Sequence, residues 1–352
     1  MRPREIRLLL LAAVLFCSCH NRNGSAFSVL TPTSSGAPYE ILMVADPENF
    51  QNGVTDAVTE LLTSDIPGLP QPEGSFKVSK VTSDNFTHTL KYCRNILIIK
   101  LDRTFTAPKV KFSRDVYSQP QIIMTLQAPD AVSVEDYLEK YGQSVIDFFC
   151  NAELNREMNL LKEKHNKLVR EKVLELFGCE VWIPSELNKT KTGKNFFWAS
   201  TDHGDRDMNF VVYSYPYRDA DTFTEQYFFD KRDSVMKANI PGPRDGQYMQ
   251  TARPYVEVTD GELRGRYVQI ARGLWEMKDY DMGGPFVSIG RVDEKNGTVV
   301  VAEGFVYAPG TTKRELMRRM EAAVYTLRLP EEIEENNFSY DIEEITIQSE
   351  NN

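Results

Sequence analysis

Residues 134–177 read VEDYLEKYGQSVIDFFCNAELNREMNLLKEKHNKLVREKVLELF, the longest unbroken helical pattern in the chain. Val134, Tyr137, Leu138, Tyr141, Val145, Phe148, Phe149 and Ala152 keep helical spacing, and Met158, Leu161, Leu168 and Val169 continue it. Ser133 with Asp136 supplies a start signal, and Gly178 is the residue type that ends a helix in the left-handed conformation. Forty-four residues at ~1.5 Å each would span roughly 66 Å, longer than a typical domain, so a bend near Gly142 or Asn151 is expected. The sequence has a different texture on each side, which makes this helix a bridge between two halves.

Upstream, strand and helix signals alternate. Tyr39–Ala45, Phe76–Val81, Asn95–Leu101 and Gln121–Leu126 read as strands, and Val54–Thr63 as a helix closing before the proline-rich loop IPGLPQPEG. Continuous apolar strands separated by helical segments suggest a sheet covered on both faces. Downstream the signals become long antiparallel strands: Phe196–Ser200, Asn209–Tyr215, Tyr255–Val258, Gly265–Trp275, Phe286–Val292 and Val299–Tyr307. Lys295-Asn296-Gly297 is a hairpin signal, because Asn-Gly adopts positive φ at little cost. Helices are expected over Thr222–Ala238 and Thr312–Leu327. The expected class is α+β: an N-terminal α/β half (39–180) joined by the long helix to an antiparallel-sheet half (181–330) with helices on one face.

The chain has 352 residues, 41 Lys+Arg against 51 Asp+Glu, a formal charge of −10 and 41% hydrophobic residues. That profile is globular, and its acidity excludes a nucleic-acid binder, which needs a basic surface. Arg2, Arg4 and Arg7 precede the apolar run Leu8–Phe16, too short for the ~20 residues of a spanning helix. Phe16-Cys17-Ser18-Cys19 then resembles a lipoprotein cleavage site, so residues 1–18 are expected to be a signal peptide and Cys19 the lipidated residue. Residues 19–38 have the Ser, Thr, Asn, Gly and Pro content of a flexible tether reaching about 25 Å. Residues 331–352 form an acidic tail with eight carboxylates and no basic residue, expected to be solvated, with a short edge strand around Tyr340–Ile347.

Chemical motifs are scarce. Ser234-Val235-Met236-Lys237, Ser83-Asp84-Asn85 and Lys191-Thr192-Gly193 match the signatures of penicillin-recognising serine enzymes, but in scrambled order. Asp202, Asp205, Asp207 and Asn209 crowd one turn without the spacing of a calcium loop. Cys93, Cys150 and Cys179 sit in apolar company and read as unpaired buried thiols. No cofactor or metal site is expected. The most unusual stretch is RGLWEMKDYDMGGPF (272–286), read as a loop between strands. Trp275, Glu276, Asp279, Tyr280, Asp281 and Phe286 make it the candidate binding surface. Its aromatics could grip a glycan or peptide if they face outward, or pack into the sheet edge if they face inward.

The lipoprotein-like start, the strand PYEILMVAD (38–46), the loop DIPGLPQPE (65–73) and the 272–286 segment together resemble an uncharacterised domain-of-unknown-function family of Bacteroidetes lipoproteins. The resemblance implies anchoring and compartment, and no activity. By similarity to Gram-negative lipoproteins, His20 in place of an aspartate after Cys19, and a tether without an acidic run, suggest an outer-membrane anchor facing the periplasm. The expected function is that of a non-catalytic binding or structural component of the envelope, with an envelope protein or a glycan as partner. A periplasmic hydrolase with an unrecognised carboxylate site is the alternative.

Overall fold

The structure, a computed structural model, describes residues 31–201 and 204–334, and the backbone of 346–347. The signal segment, Cys19, the first part of the tether, Asp202, His203 and nearly all of the tail beyond Glu334 lie outside the described residues. The architecture is α+β, as expected.

The first half is a five-stranded sheet of β1 (Glu40–Ala45), β2 (Lys77–Thr82), β3 (Asn95–Leu101), β4 (Lys109–Arg114) and β5 (Ile122–Ala128), in the order β2-β1-β3-β5-β4. All pairs are parallel except β4 with β5. Helices α1 (Val54–Leu62) and α2 (Ala131–Lys164) cover one face, where Met43, Leu97 and Met124 meet Val58 and Phe149. The other face, with Leu42, Val44, Ile96 and Ile123, is covered by Phe86, Leu90 and Tyr117 from connecting segments. Both faces are buried, which is why the strands read as continuous apolar runs. Gly142, expected to mark a bend, is instead a contact between helices: a Cβ there would lie 2.7 Å from Leu61 Cδ1.

The bend falls elsewhere. Helix α2 stops at Lys164, and α3 (Lys167–Phe177) starts afresh. His165 is extended (φ −78°, ψ 165°), and Asn166 Oδ1 accepts the Val169 N–H at 3.1 Å, capping α3. Asn166 N–H donates to Ile183 O, and the His165 ring stacks on Trp182 at 5.6 Å. Asparagine is among the strongest N-caps, so a stop signal was present inside the periodic pattern. At the N-terminus the cap is Asp130, accepting from Ser133 N–H at 2.8 Å, rather than Ser133 itself. Gly178 ends α3 at φ 68° as expected.

The second half is an antiparallel sheet ordered β13-β9-β10-β11-β12-β8-β7-β6. Its strands are β6 (Lys189–Gly193), β7 (Phe196–Ser200), β8 (Asp207–Pro216), β9 (Met249–Leu263), β10 (Arg266–Met277), β11 (Tyr280–Asp293), β12 (Thr298–Tyr307) and β13 (Thr346–Ile347). Helix α4 (Glu225–Asn239) packs Phe228, Phe229 and Met236 on Val211, Tyr213, Val299 and Phe286. Helix α5 (Arg314–Tyr325) packs Leu316, Met320 and Ala323 on Phe210, Val212, Ile289 and Ala302. Successive strand residues point to opposite faces, so α4 and α5 lie on opposite faces of the sheet, not on one. Strands β8 and β12 are buried on both sides and carry few polar positions for that reason. Closing the second half is the short helix α6 (Pro330–Glu334).

The two halves are joined by the proline-rich loop and by α2 against α5. Glu73 accepts the Lys313 and Arg314 backbone N–H groups at 2.8 and 2.9 Å, capping α5 from the other half. Arg318 of α5 donates to Glu321 at 2.9 Å, reaches Cys150 Sγ at 3.4 Å and lies 5.1 Å from the Tyr39 ring centre. Glu321 also accepts from Arg272 at 2.6 Å. Burial opposes its charge, but Arg272 and Arg318 outweigh it and hold the carboxyl below its ordinary range. Burial pushes the Cys150 thiol up to about 11 and Cys179 up to about 12, so neither is a ready nucleophile.

Candidate functional site

The stretch singled out in the sequence is a tight hairpin, not a loop. Lys278 and Asp279 alone separate β10 from β11, with Asp279 at φ 55°. Gly283, Gly284 and Pro285 pair with Glu276, Trp275 and Leu274 inside the sheet. Glycine is required there because a Cβ on Gly284 would lie 2.0 Å from Val306 O. Trp275 and Phe286 are 2% and 1% exposed and belong to the core under α4. Trp275 Nε1 donates to Val306 O at 3.3 Å, and the Arg232 guanidinium stacks 4.1 Å from the Phe286 ring centre. These two aromatics therefore leave the candidate surface. Glu276, Asp279, Tyr280 and Asp281 are exposed on the hairpin tip, and Glu276 accepts from Gln250 at 2.7 Å.

The other motifs are dispersed. Ser83 binds Asp46 in the first half, Lys191 donates to Asn239 O on β6, and Ser234 lies in α4. Asp207 and Asn209 open β8, where Asn209 accepts from Trp198 at 3.0 Å. Among the described residues no group of three or more metal-ligating side chains converges.

A groove of about 920 Å³ lies at the opposite end of the β10–β11 hairpin. Its walls come from the Tyr217–Thr224 segment before α4, the β9–β10 turn at Arg264-Gly265, the β11–β12 turn ending at Gly297, and the start of α6. The first of these turns uses φ 56° and 71°, and Gly297 of the second has φ 61°. Phe223 sits edge-on to Tyr267 at 4.8 Å and 6.0 Å from Tyr217, forming an aromatic wall. Gln269 donates to Phe223 O and fixes that wall to the sheet. Tyr267 donates its hydroxyl to Asp260 at 2.5 Å. Burial, helped by Asp260, holds that phenol protonated well beyond its ordinary range.

Arg291 forms the floor. It is 0% exposed and binds Glu332 through two hydrogen bonds of 2.8 and 2.7 Å. Burial opposes the Glu332 charge, but Arg291 and the Leu329 N–H outweigh it and lower its pKa. The Arg291 Nε–H, also buried, has no partner among the described groups. Arg266 pairs with Glu331 on the rim. Both guanidinium groups are thus matched by carboxylates, while Asp260 and Glu294 add further negative charge. Such a site disfavours polyanions and offers flat aromatic faces and the hydroxyl groups of Tyr217 and Tyr267.

None of this groove was singled out in the sequence. Its residues spread from Tyr217 to Glu331, and only the Tyr215-Pro216-Tyr217 cluster and the twin acids Glu331-Glu332 gave a local signal.

Residues 34–162 match a family model described as domain of unknown function DUF8532, and residues 166–326 match another, DUF4837. The two models meet at the His165–Asn166 break between α2 and α3. No curated protein matches the chain. Among solved structures, the Saccharomyces cerevisiae Ran-binding protein Mog1p is similar at 12% identity and a TM-score of 0.26, covering 43% of this chain and 90% of that one. The human StarD13 (DLC2) lipid transfer and protein localization domain is similar at 8% identity and a TM-score of 0.19, covering 45% and 94%. Scores this low carry no argument about fold or function.

Proposed function

We propose that this protein is a lipid-anchored envelope component, held through Cys19 in the outer membrane and facing the periplasm, whose antiparallel half binds a neutral, hydroxyl-rich ligand such as a glycan. The anchor reading is supported by Arg2, Arg4 and Arg7, the short apolar run Leu8–Phe16 and Cys19. It is compatible with the described residues, where no helix is long and apolar enough to cross a membrane.

The observation that carries the binding reading is the groove walled by Tyr217, Phe223 and Tyr267, with the Asp260 and Glu294 carboxylates along it. Sugar faces stack on aromatic rings, and planar side chains such as Asp260 bond hydroxyl groups. An array of neutral and anionic oligosaccharides tests the reading. Neutral glycans should be retained, and Tyr267→Ala should lose them. An array on which nothing neutral is retained would overturn it. Palmitate labelling tests the anchor separately: label should vanish in Cys19→Ala, and its persistence would refute lipidation at that residue.

A further inference from the structure

The outer edge of the first sheet carries a second unassigned surface. Strand β4 is the last strand on its side, so alternate N–H and C=O groups along it point away from β5. Its sequence, KVKFSR, holds three cations and no acid. Neither Lys109 nor Lys111 is in an ion pair among the described residues. The opposite edge differs: on β2, Lys77 pairs with Glu40 at 3.0 Å and Lys80 with Asp56 at 2.6 Å. Charged edges commonly serve only to repel other strands. At β4, however, the charge stands beside exposed aromatic surface.

Phe112 is 57% exposed and stacks on Phe148 of α2 at 4.5 Å. Tyr137, Tyr141 and Phe148 fall on one stripe of α2 by helical spacing, and the first two rings lie 5.0 Å apart. Tyr141 is itself 42% exposed. Side chains alternate along β4, so Val110 and Phe112 lie on the α2 side, and Lys109 and Lys111 on the other. A strand laid along this edge would therefore have alternate residues on the side of Val110 and the Phe112–Phe148 stack, and the residues between on the side of the Lys109 and Lys111 ammonium groups.

We infer that β4 is a docking edge for an extended peptide of a partner protein in which acidic and apolar residues alternate, taken up by β-augmentation. Main-chain hydrogen bonds to the edge supply affinity. Lys109 and Lys111 select acidic side chains on one face, and the Phe112–Phe148 stack with Tyr141 receives apolar ones on the other. The inference is independent of the glycan groove, which lies on the other sheet.

A fluorescent peptide of four Val-Glu repeats, titrated into the soluble chain by anisotropy, tests it. Binding is expected, and a Val-Lys repeat of equal length should not bind. N-methylation of one alternate set of peptide amides should abolish binding, while methylation of the other set leaves it, as only one set faces β4. Lys109→Glu with Lys111→Glu should weaken binding at least tenfold, and Phe112→Ser should weaken it with both lysines intact. These are surface positions, and a melt of each variant verifies its fold. No binding of the Val-Glu peptide, equal binding of both methylated peptides, or preferential capture of phosphatidylglycerol vesicles through the same lysines would overturn the proposal.

Discussion

Tyr267 and Trp275 lie on the same strand, eight residues apart, and face the same side of the sheet. Their fates are opposite. Trp275 is 2% exposed and Tyr267 is 41% exposed. The difference lies in what covers them. Trp275 and its neighbour Phe286 are roofed by Arg232 and Phe229 of α4 and by Tyr307. At the other end of β10, Phe223 of the segment before α4 packs T-shaped against Tyr267 at 4.8 Å, and the tyrosine keeps 41% of its surface exposed. Aromatic residues beside carboxylates thus make core at one end of a hairpin and a candidate site at the other.

The sharpest way to break this comparison is truncation at the covered end. Trp275→Ala and Phe286→Ala should each cost about 3–5 kcal/mol in denaturant unfolding, as for any large aromatic in a packed core. A loss below 1 kcal/mol would mean that α4 does not roof that end. Gly284→Ala should come next, at about 1–3 kcal/mol, because its Cβ would collide with Val306 O. Denaturant midpoints check it against Gly246→Ala, a position with open space around its Cβ but positive φ, so that backbone strain and collision are separated.

Acid sensitivity comes from the seam and from the groove floor. Glu321 and Glu332 both have pKa values lowered by arginines, so their contribution is complete above the ordinary glutamate value of 4.5 and is lost as pH falls through their folded values. Melting temperature should drop below about pH 4.5, and Glu332→Gln should make that drop shallower while lowering stability at neutral pH. An unchanged acid slope would remove Glu332 from this role. The smallest effects are expected at exposed rings. Tyr280→Ala at the hairpin tip should change stability by no more than about 0.5 kcal/mol, and Tyr267→Ala by about 1 kcal/mol or less, with ligand retention lost only in the second. Loss of retention in Tyr280→Ala would move the site to the hairpin tip.

Much of the second sheet was readable because its signals are local. Phe196–Ser200 forms β7 with those same bounds, and Val299–Tyr307 extends by one residue in β12. Asn296-Gly297 does turn the chain. Gly283-Gly284-Pro285 misled for an equally local reason: these residues pair poorly in isolation, but here the close approach of β10 at Gly283 and of β12 at Gly284 requires the two glycines. Strand β4 escaped notice because an exposed edge of lysines carries no apolar pattern. The helix break at His165 was marked by Asn166, yet continuing apolar spacing on both sides concealed it.

By itself, then, the sequence determined most of the apolar strands and helices, the Asn296-Gly297 turn and the acidic balance of the chain. It did so because spacing, caps and turn residues act within a few positions of one another. The tertiary structure alone decided that α4 and α5 take opposite faces, that Trp275 is core while Tyr267 is surface, and that Arg291, Glu331 and Phe223 share one groove. Each of those outcomes depends on which distant segment covers a face: Arg291 meets Glu332 across 41 positions and Gln269 meets Phe223 across 46. Burial is a property of both partners in a contact, and periodicity along one strand describes only one of them.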